Sequence, residues 1–193
     1  ESRLLIGGLP PEGQDTLLGW FKDVAIHPDR LILQPRCSMW DYLKLHHQVD
    51  LCLDAFPYTG GTTTNHGLWM GVPTLTLAGQ TPASRQGASL MGHVGLPQFI
   101  AHSEAEFVEK GLYWAGHLTE LAAIRAGLRQ RWNASAIGQP TVVAEGVATA
   151  LRTMWAAWCD GQLPRGFTVD RDEPPTASTV SSPHPKLPKL CSL

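Results

Sequence analysis

Two adjacent glycines followed by three threonines form the stretch of this sequence with the most chemical potential: Phe56-Pro57-Tyr58-Thr59-Gly60-Gly61-Thr62-Thr63-Thr64-Asn65-His66. Gly60 and Gly61 let a backbone approach a ligand closely. Thr62, Thr63 and Thr64 place three hydroxyl donors beside the free N–H groups of a helix start, which together make a cradle for an oxyanion. No lysine of the Walker A type follows, so a diphosphate held by hydroxyls and a helix dipole fits better than a triphosphatase site. The plain structural alternative is a threonine-rich cap after a tight turn. His66 follows the threonines at a distance from which an imidazole reaches a ribose hydroxyl; otherwise it is a surface histidine.

Other candidates carry weaker signals. The loop from Gly7 to Gly13 has glycines without the GxGxxG spacing, and Pro10 and Pro11 remove amide donors. A second loop runs from Gln34 to Met39. His46 and His47 are neighbours on a helix and point apart, and no His, Cys, Asp and Glu cluster has zinc-ligand spacing, so no metal site is expected. Asp170-Arg171-Asp172 spells a metal-binding DxD, but it lies in a proline-rich segment without a rigid surround to hold a metal.

These loops need strands and helices to place them. Short apolar runs bounded by turn residues occur at Leu4–Ile6, Leu31–Leu33, Leu51–Leu53, Thr74–Leu77 and Phe99–Ala101, each of buried-strand length. Helical stretches alternate with them: Leu17, Leu18, Phe21 and Val24 share a face, while Ser38 with Asp41 and Ser103 with Glu106 have cap-and-carboxylate spacing. Alternation of this kind predicts a Rossmann-like α/β fold, a parallel sheet of about five strands flanked by helices. From Phe107 onward the pattern is helical and ends in a long helix near Val142–Cys159. Its tryptophans read as core, and Arg125, Arg129 and Arg131 as a solvated face.

The 193 residues carry 15 Lys+Arg and 17 Asp+Glu, a net charge of −2, which argues against an electrostatic nucleic-acid binder. No run of about 18 apolar residues is present to span a membrane. Cys37, Cys52, Cys159 and Cys191 are widely spaced, and with no signal-peptide pattern the expected location is the cytoplasm. The sequence opens on Glu1 and enters an apolar run at once, as expected of a segment of a longer chain. Residues 164–193 hold six of the 15 prolines. The expected organisation is therefore a lobe over residues 1–160 and a mobile tail over 161–193.

At Asp50-Leu51-Cys52-Leu53-Asp54, Gly60-Gly61-Thr62-Thr63, Leu68-Trp69-Met70-Gly71-Val72-Pro73, Ala83-Ser84-Arg85 and Met154-Trp155, the sequence resembles the protein O-GlcNAc transferase family over about residues 2–160. Phe56-Pro57-Tyr58 and Thr62-Thr63-Thr64 also resemble plant protein O-fucosyltransferase relatives. The resemblance implies the carboxyl-terminal, donor-binding lobe of a GT-B glycosyltransferase, with its amino-terminal part and the catalytic histidines upstream of residue 1, and often with tetratricopeptide repeats before them. Thr62 and Thr63 match diphosphate-binding threonines, Cys37 a position whose backbone pairs with uracil, and Tyr42 a histidine that stacks on the base. His66 falls where animal members place a ribose-binding aspartate. Met39 stands for a ribose-contacting lysine, Gly61 for a histidine, and Leu45 for an arginine that the adjacent Lys44 can replace.

The implied activity is metal-independent, inverting transfer of N-acetylglucosamine from its uridine diphosphate form to Ser or Thr hydroxyls of proteins, with no cofactor. The expected partners are the upstream lobe and protein acceptors, and the expected catalytic residues lie outside the segment. Two alternatives remain at this level: transfer of fucose from a guanosine-linked donor, and a non-catalytic module that senses a nucleotide or phosphometabolite.

Overall fold

Every strand among the described residues is short and parallel to its neighbours. The computed structural model describes residues 2–169. The chain divides into two units, residues 1–138 and 139–193. In the first, β1 (Leu4–Gly7), α1 (Pro11–Asp23), β2 (Leu31–Gln34), α2 (Met39–Leu45), β3 (Cys52–Leu53), α3 (Thr62–Trp69), β4 (Thr74–Leu77), α4 (Gln86–His93) and β5 (Ile100–Ala101) alternate as expected. Two helices follow, α5 (Glu104–Gly116) and α6 (Leu118–Ala134). The strands form two sheets where one of about five was expected: β1 pairs with β2, and β4 lies between β3 and β5. All three pairings are parallel, with Leu5 opposite Ile32, Leu53 opposite Leu75 and Thr76 opposite Ile100.

Helix starts follow the local chemistry. The Ser38 hydroxyl accepts the Asp41 N–H at 3.2 Å and donates to the Asp41 carboxylate at 2.7 Å. That bond, more than the nearby Lys44, holds the Asp41 carboxyl below its ordinary range. Ser103 accepts the Glu106 N–H at 3.1 Å, and Glu106 accepts the His102 N–H at 2.7 Å. Both caps were legible as serines three residues before a carboxylate.

The core of this unit gathers on the helices that follow β3. Leu68 of α3, Met91 of α4, Phe99, Trp114 of α5, and Leu121 and Leu128 of α6 are buried together. Phe99 and Trp114 stack with ring centroids 4.5 Å apart. The α3 helix ends in a Schellman turn: Val72 N–H donates to Gly67 C=O at 2.8 Å and Gly71 N–H to Leu68 C=O at 3.1 Å. Gly71 makes it possible by adopting φ +78°.

Of the three arginines expected to face solvent, Arg131 is exposed, whereas Arg125 and Arg129 tie α6 to the end of α3. Arg129 Nε donates to Trp69 C=O at 2.6 Å and Arg125 Nε to Gly71 C=O at 3.0 Å, while a second nitrogen of Arg125 reaches Asp50 at 2.7 Å. A guanidinium is well placed there because the last carbonyls of a helix are unpaired and carry its negative pole. Further along α6, the Trp132 indole N–H donates to Asn65 Oδ1 of α3 at 2.9 Å.

The second unit contains α7 (Pro140–Cys159), longer by two residues than its apolar stripe indicates, and no residue of α7 is buried. Trp155 and Trp158 are thus not core side chains of this unit. Residues 161–169 carry no helix or strand; the remainder of the expected tail, including Asp170-Arg171-Asp172, lies outside the described residues.

Leu68 joins α3 to this core with its side chain fully buried. Leu68→Ala should cost about 2 to 5 kcal/mol through lost contact and an unfilled cavity. Urea denaturation checks this, with a lowered midpoint and an unchanged slope expected.

Candidate functional site

The site is built outward from Asp54, at the carboxyl end of β3. One carboxylate oxygen accepts the Gly60 N–H at 2.7 Å and the other accepts the Thr76 hydroxyl of β4 at 2.8 Å. The glycine loop is thereby pinned to two adjacent strands. A second anchor is Thr59, fully buried, which donates its hydroxyl to Ala83 C=O at 3.0 Å and accepts the Gly87 N–H at 3.2 Å. Gly87 has no room for a side chain: a Cβ there would collide with Asp54 Oδ2 and Thr76 Oγ1. Gly60 is equally constrained, since its Cβ would sit 2.7 Å from Thr63 Oγ1 and 2.6 Å from Thr64 Oγ1.

Pinned in this way, the chain enters α3 with Gly61 as its cap residue and no side-chain cap. The threonines are not a prelude to the helix; they are its first turn. The first intrahelical bond described runs from Asn65 N–H to Gly61 C=O at 3.0 Å, and amides in the first turn of a helix have no helical acceptor. Thr64 is buried and gives its hydroxyl to Gly60 C=O at 2.9 Å. Thr62 and Thr63 are exposed, and among the described residues no hydrogen bond engages their hydroxyls. Two hydroxyls and the positive end of α3 therefore face outward together.

Thr63 and Thr64 share one wide cleft of about 1180 Å³ with Cys37, Met39 and Tyr42. The α2 side of that cleft is aromatic: Tyr42 meets His46 edge-on at 5.0 Å and His66 at 5.6 Å between ring centroids. Burial raises the Tyr42 hydroxyl pKa and lowers that of His46, favouring the neutral form of each. The His66 ring lies against Tyr42 and does not line the cleft; its Nδ1 is shielded from solvent and has no hydrogen-bond partner among the described residues. Lys44 is also outside the lining, with its ammonium 3.6 Å from Asp41. Gly60, Gly61 and Thr62 are likewise outside the lining.

Three contributors were not singled out by residue type and spacing. Asp54 is the first; its signal was a carboxylate at a strand end six residues before a glycine pair. Gln86 closes over Gly61, where any Cβ would meet its Oε1. Arg36 lines the cleft beside Cys37, is exposed, and has no ion-pair partner among the described residues. A cation at the carboxyl end of β2 was its signal. Among the described residues no group of three or more His, Cys, Asp or Glu is placed to hold a metal ion.

If Asp54 organises the loop, Asp54→Ala and Gly87→Ala should both loosen it. Removing the carboxylate strips acceptors from two partly buried donors, and the added methyl forces the carboxylate aside, each at about 1 to 3 kcal/mol. Thermal denaturation should show both losses, and amide exchange at Gly60 should accelerate in both variants. Stability equal to the parent in both would remove Asp54 from this role. Cys52 gives a separate check: burial pushes its thiol up to about 11, so its thiolate is scarce at pH 8. Alkylation at that pH should modify the exposed Cys37 and Cys159 and spare Cys52.

Residues 1–144 match the family model for Glycosyl transferase family 41. A rice protein named as a probable UDP-N-acetylglucosamine–peptide N-acetylglucosaminyltransferase, SPINDLY, is 35% identical over 164 residues, which cover 83% of this chain and 18% of that protein. The barley protein of the same name is 37% identical over 152 residues, 78% of this chain and 16% of that one. A solved point mutant of Thermobaculum terrenum O-GlcNAc transferase superimposes with a TM-score of 0.74 at 29% identity, over 82% of this chain and 31% of that structure. The chain thus spans less than a fifth of the length of these plant relatives. Its Rossmann-like α/β lobe is of the GT-B glycosyltransferase type, and the chain belongs to glycosyl transferase family 41.

Proposed function

We propose that this chain is the donor-binding lobe of a protein O-GlcNAc transferase. On this reading it holds uridine diphosphate N-acetylglucosamine while the sugar passes, with inversion and without a metal, to a Ser or Thr hydroxyl of a protein. The observation that carries the reading is the outward-facing first turn of α3. Its free amides and the unengaged hydroxyls of Thr62 and Thr63 lie beside a cleft that Thr63, Tyr42 and Cys37 line.

The chemistry follows from where charge develops. As the glycosidic bond breaks, negative charge grows on the departing diphosphate, and donors fixed in place beforehand stabilise it more than water can. Thr62 and Thr63 donate to the phosphate oxygens, the α3 amides add their dipole, and Arg36, which also lines the cleft, supplies a cation. Tyr42 offers its ring to the base. The reading assigns no general base to the cleft lining; the acceptor hydroxyl is handled by an upstream lobe of the whole protein or by the substrate itself, with tetratricopeptide repeats expected before that lobe.

Titration calorimetry tests the reading. Thr62→Ala and Thr63→Ala should each weaken binding of uridine diphosphate about tenfold or more, since a hydrogen bond to a charged group contributes about 1.5 to 3 kcal/mol. Chelators should not change the affinity. The donor should also slow alkylation of Cys37 and leave Cys159 unaffected. Parental affinity in both variants would reduce the threonines to a cap, and tighter binding of a guanosine-linked sugar would move the reading to a fucosyl donor.

A further inference from the structure

Asp54 fixes two stretches of backbone at once. One of its carboxylate oxygens accepts the Gly60 N–H at 2.7 Å, and the other is packed so closely on Gly87 that no side chain fits there. The residues next to these two anchors, Gly61 at the start of α3 and Gln86 at the start of α4, are thereby brought together. A Cβ on Gly61 would meet Gln86 Oε1 and stand 3.6 Å from its Cδ. The carboxamide of Gln86 thus fills the space that a side chain at position 61 would take, and the glycine is what makes room for it.

The neighbours of Gln86 all have partners. Thr81 and Ser84 join their hydroxyls at 3.0 Å, Arg85 Nη1 donates to Gly79 C=O at 2.9 Å, and the Gly87 N–H donates to Thr59 Oγ1 at 3.2 Å. The Gln86 side chain is different: it is half-buried, yet its carboxamide makes no hydrogen bond among the described residues. Two donor hydrogens and an acceptor are therefore held ready against the uncapped starts of two helices. With Oε1 turned to Gly61, at the positive end of α3, the nitrogen is left as the outward donor.

We infer that Gln86 is a further donor-binding residue, whose Nε2 donates to the far phosphate of the nucleoside diphosphate. The inference rests on the reading of the first turn of α3 proposed above. Thr63 lines the cleft with Tyr42 and Cys37, whereas Gly61 and Gln86 lie outside that lining. A nucleotide with its base against Tyr42 then has its near phosphate by Thr63 and its far phosphate by Gly61, under the carboxamide. The far phosphate carries the bond to the sugar, so charge grows there as that bond breaks, and a donor fixed in advance is most effective at such a place. Because it comes from α4, this donor approaches from a direction that the amides and hydroxyls of α3 do not cover.

Titration calorimetry of the whole protein with uridine diphosphate and uridine monophosphate tests the assignment. Gln86→Met keeps the length of the side chain and removes the donor, so it should weaken the diphosphate about tenfold and leave the monophosphate as in the parent. Gln86→Glu places a carboxylate at two helix starts, so it should hold or raise the thermal midpoint while weakening the diphosphate more than tenfold. Gly61→Ala displaces the carboxamide; it should weaken the diphosphate in the parent and add nothing in a Gln86→Ala background. Thr62→Ala and Thr63→Ala, measured beside these, separate the two ideas. Weaker binding in the threonine variants with parental binding in Gln86→Met would overturn the role of Gln86 and leave the donor site standing, whereas parental binding in all three would overturn both. Equal losses of monophosphate and diphosphate in Gln86→Met would also overturn it, because the side chain would then only shape the loop.

Discussion

Asp54 settles where the backbone goes after β3, and most of the site follows from that. A carboxylate at a strand end that accepts one bond from a loop amide and another from the next strand's threonine converts a glycine-rich connection, which would otherwise sample many conformations, into a single path. The glycines are the counterpart of that constraint. Gly60 admits the threonine hydroxyls and Gly87 admits the carboxylate itself, so backbone freedom is used to make room and the hydrogen bonds remove the freedom again.

The α3 helix is then treated differently at its two ends. Its carboxyl end is fully occupied: Arg125 and Arg129 take carbonyls of Gly71 and Trp69, and the Schellman turn takes those of Gly67 and Leu68. Its amino end has no side-chain cap, although Thr62 and Thr63 lie in the first turn. Leaving a helix start uncapped forgoes about 0.5 to 2 kcal/mol. α2 and α5 are capped by serines three residues before a carboxylate, whereas α3, like α1, α4, α6 and α7, starts without a side-chain cap and leaves its first amides free for an anion.

Much of this was written in the sequence, in patterns that local physics enforces. Strand runs such as Thr74–Leu77, the serine caps and the glycine-threonine loop are short-range signals, and the structure places each where its chemistry indicates. Most of what escaped was long-range. Arg125 and Arg129 have the spacing of a solvated helix face, and only the approach of α3, more than fifty residues earlier in the chain, gives them carbonyl partners. Thr64 looks like its neighbours in a row of three, but helical geometry turns its hydroxyl inward to Gly60. The break between β2-β1 and β3-β4-β5 was equally invisible, because alternation of strands and helices fixes their direction and not their adjacency.

These features bear on how the work of binding is divided. One helix terminus contributes only about 0.3 to 2 kcal/mol to an anion, and two threonine hydroxyls add direction more than charge. On the proposed reading a departing diphosphate meets few free cations here: Lys44 is paired with Asp41 and Arg85 with the Gly79 carbonyl, while Arg36, which lines the cleft with Arg3 and Arg30, has no ion-pair partner among the described residues.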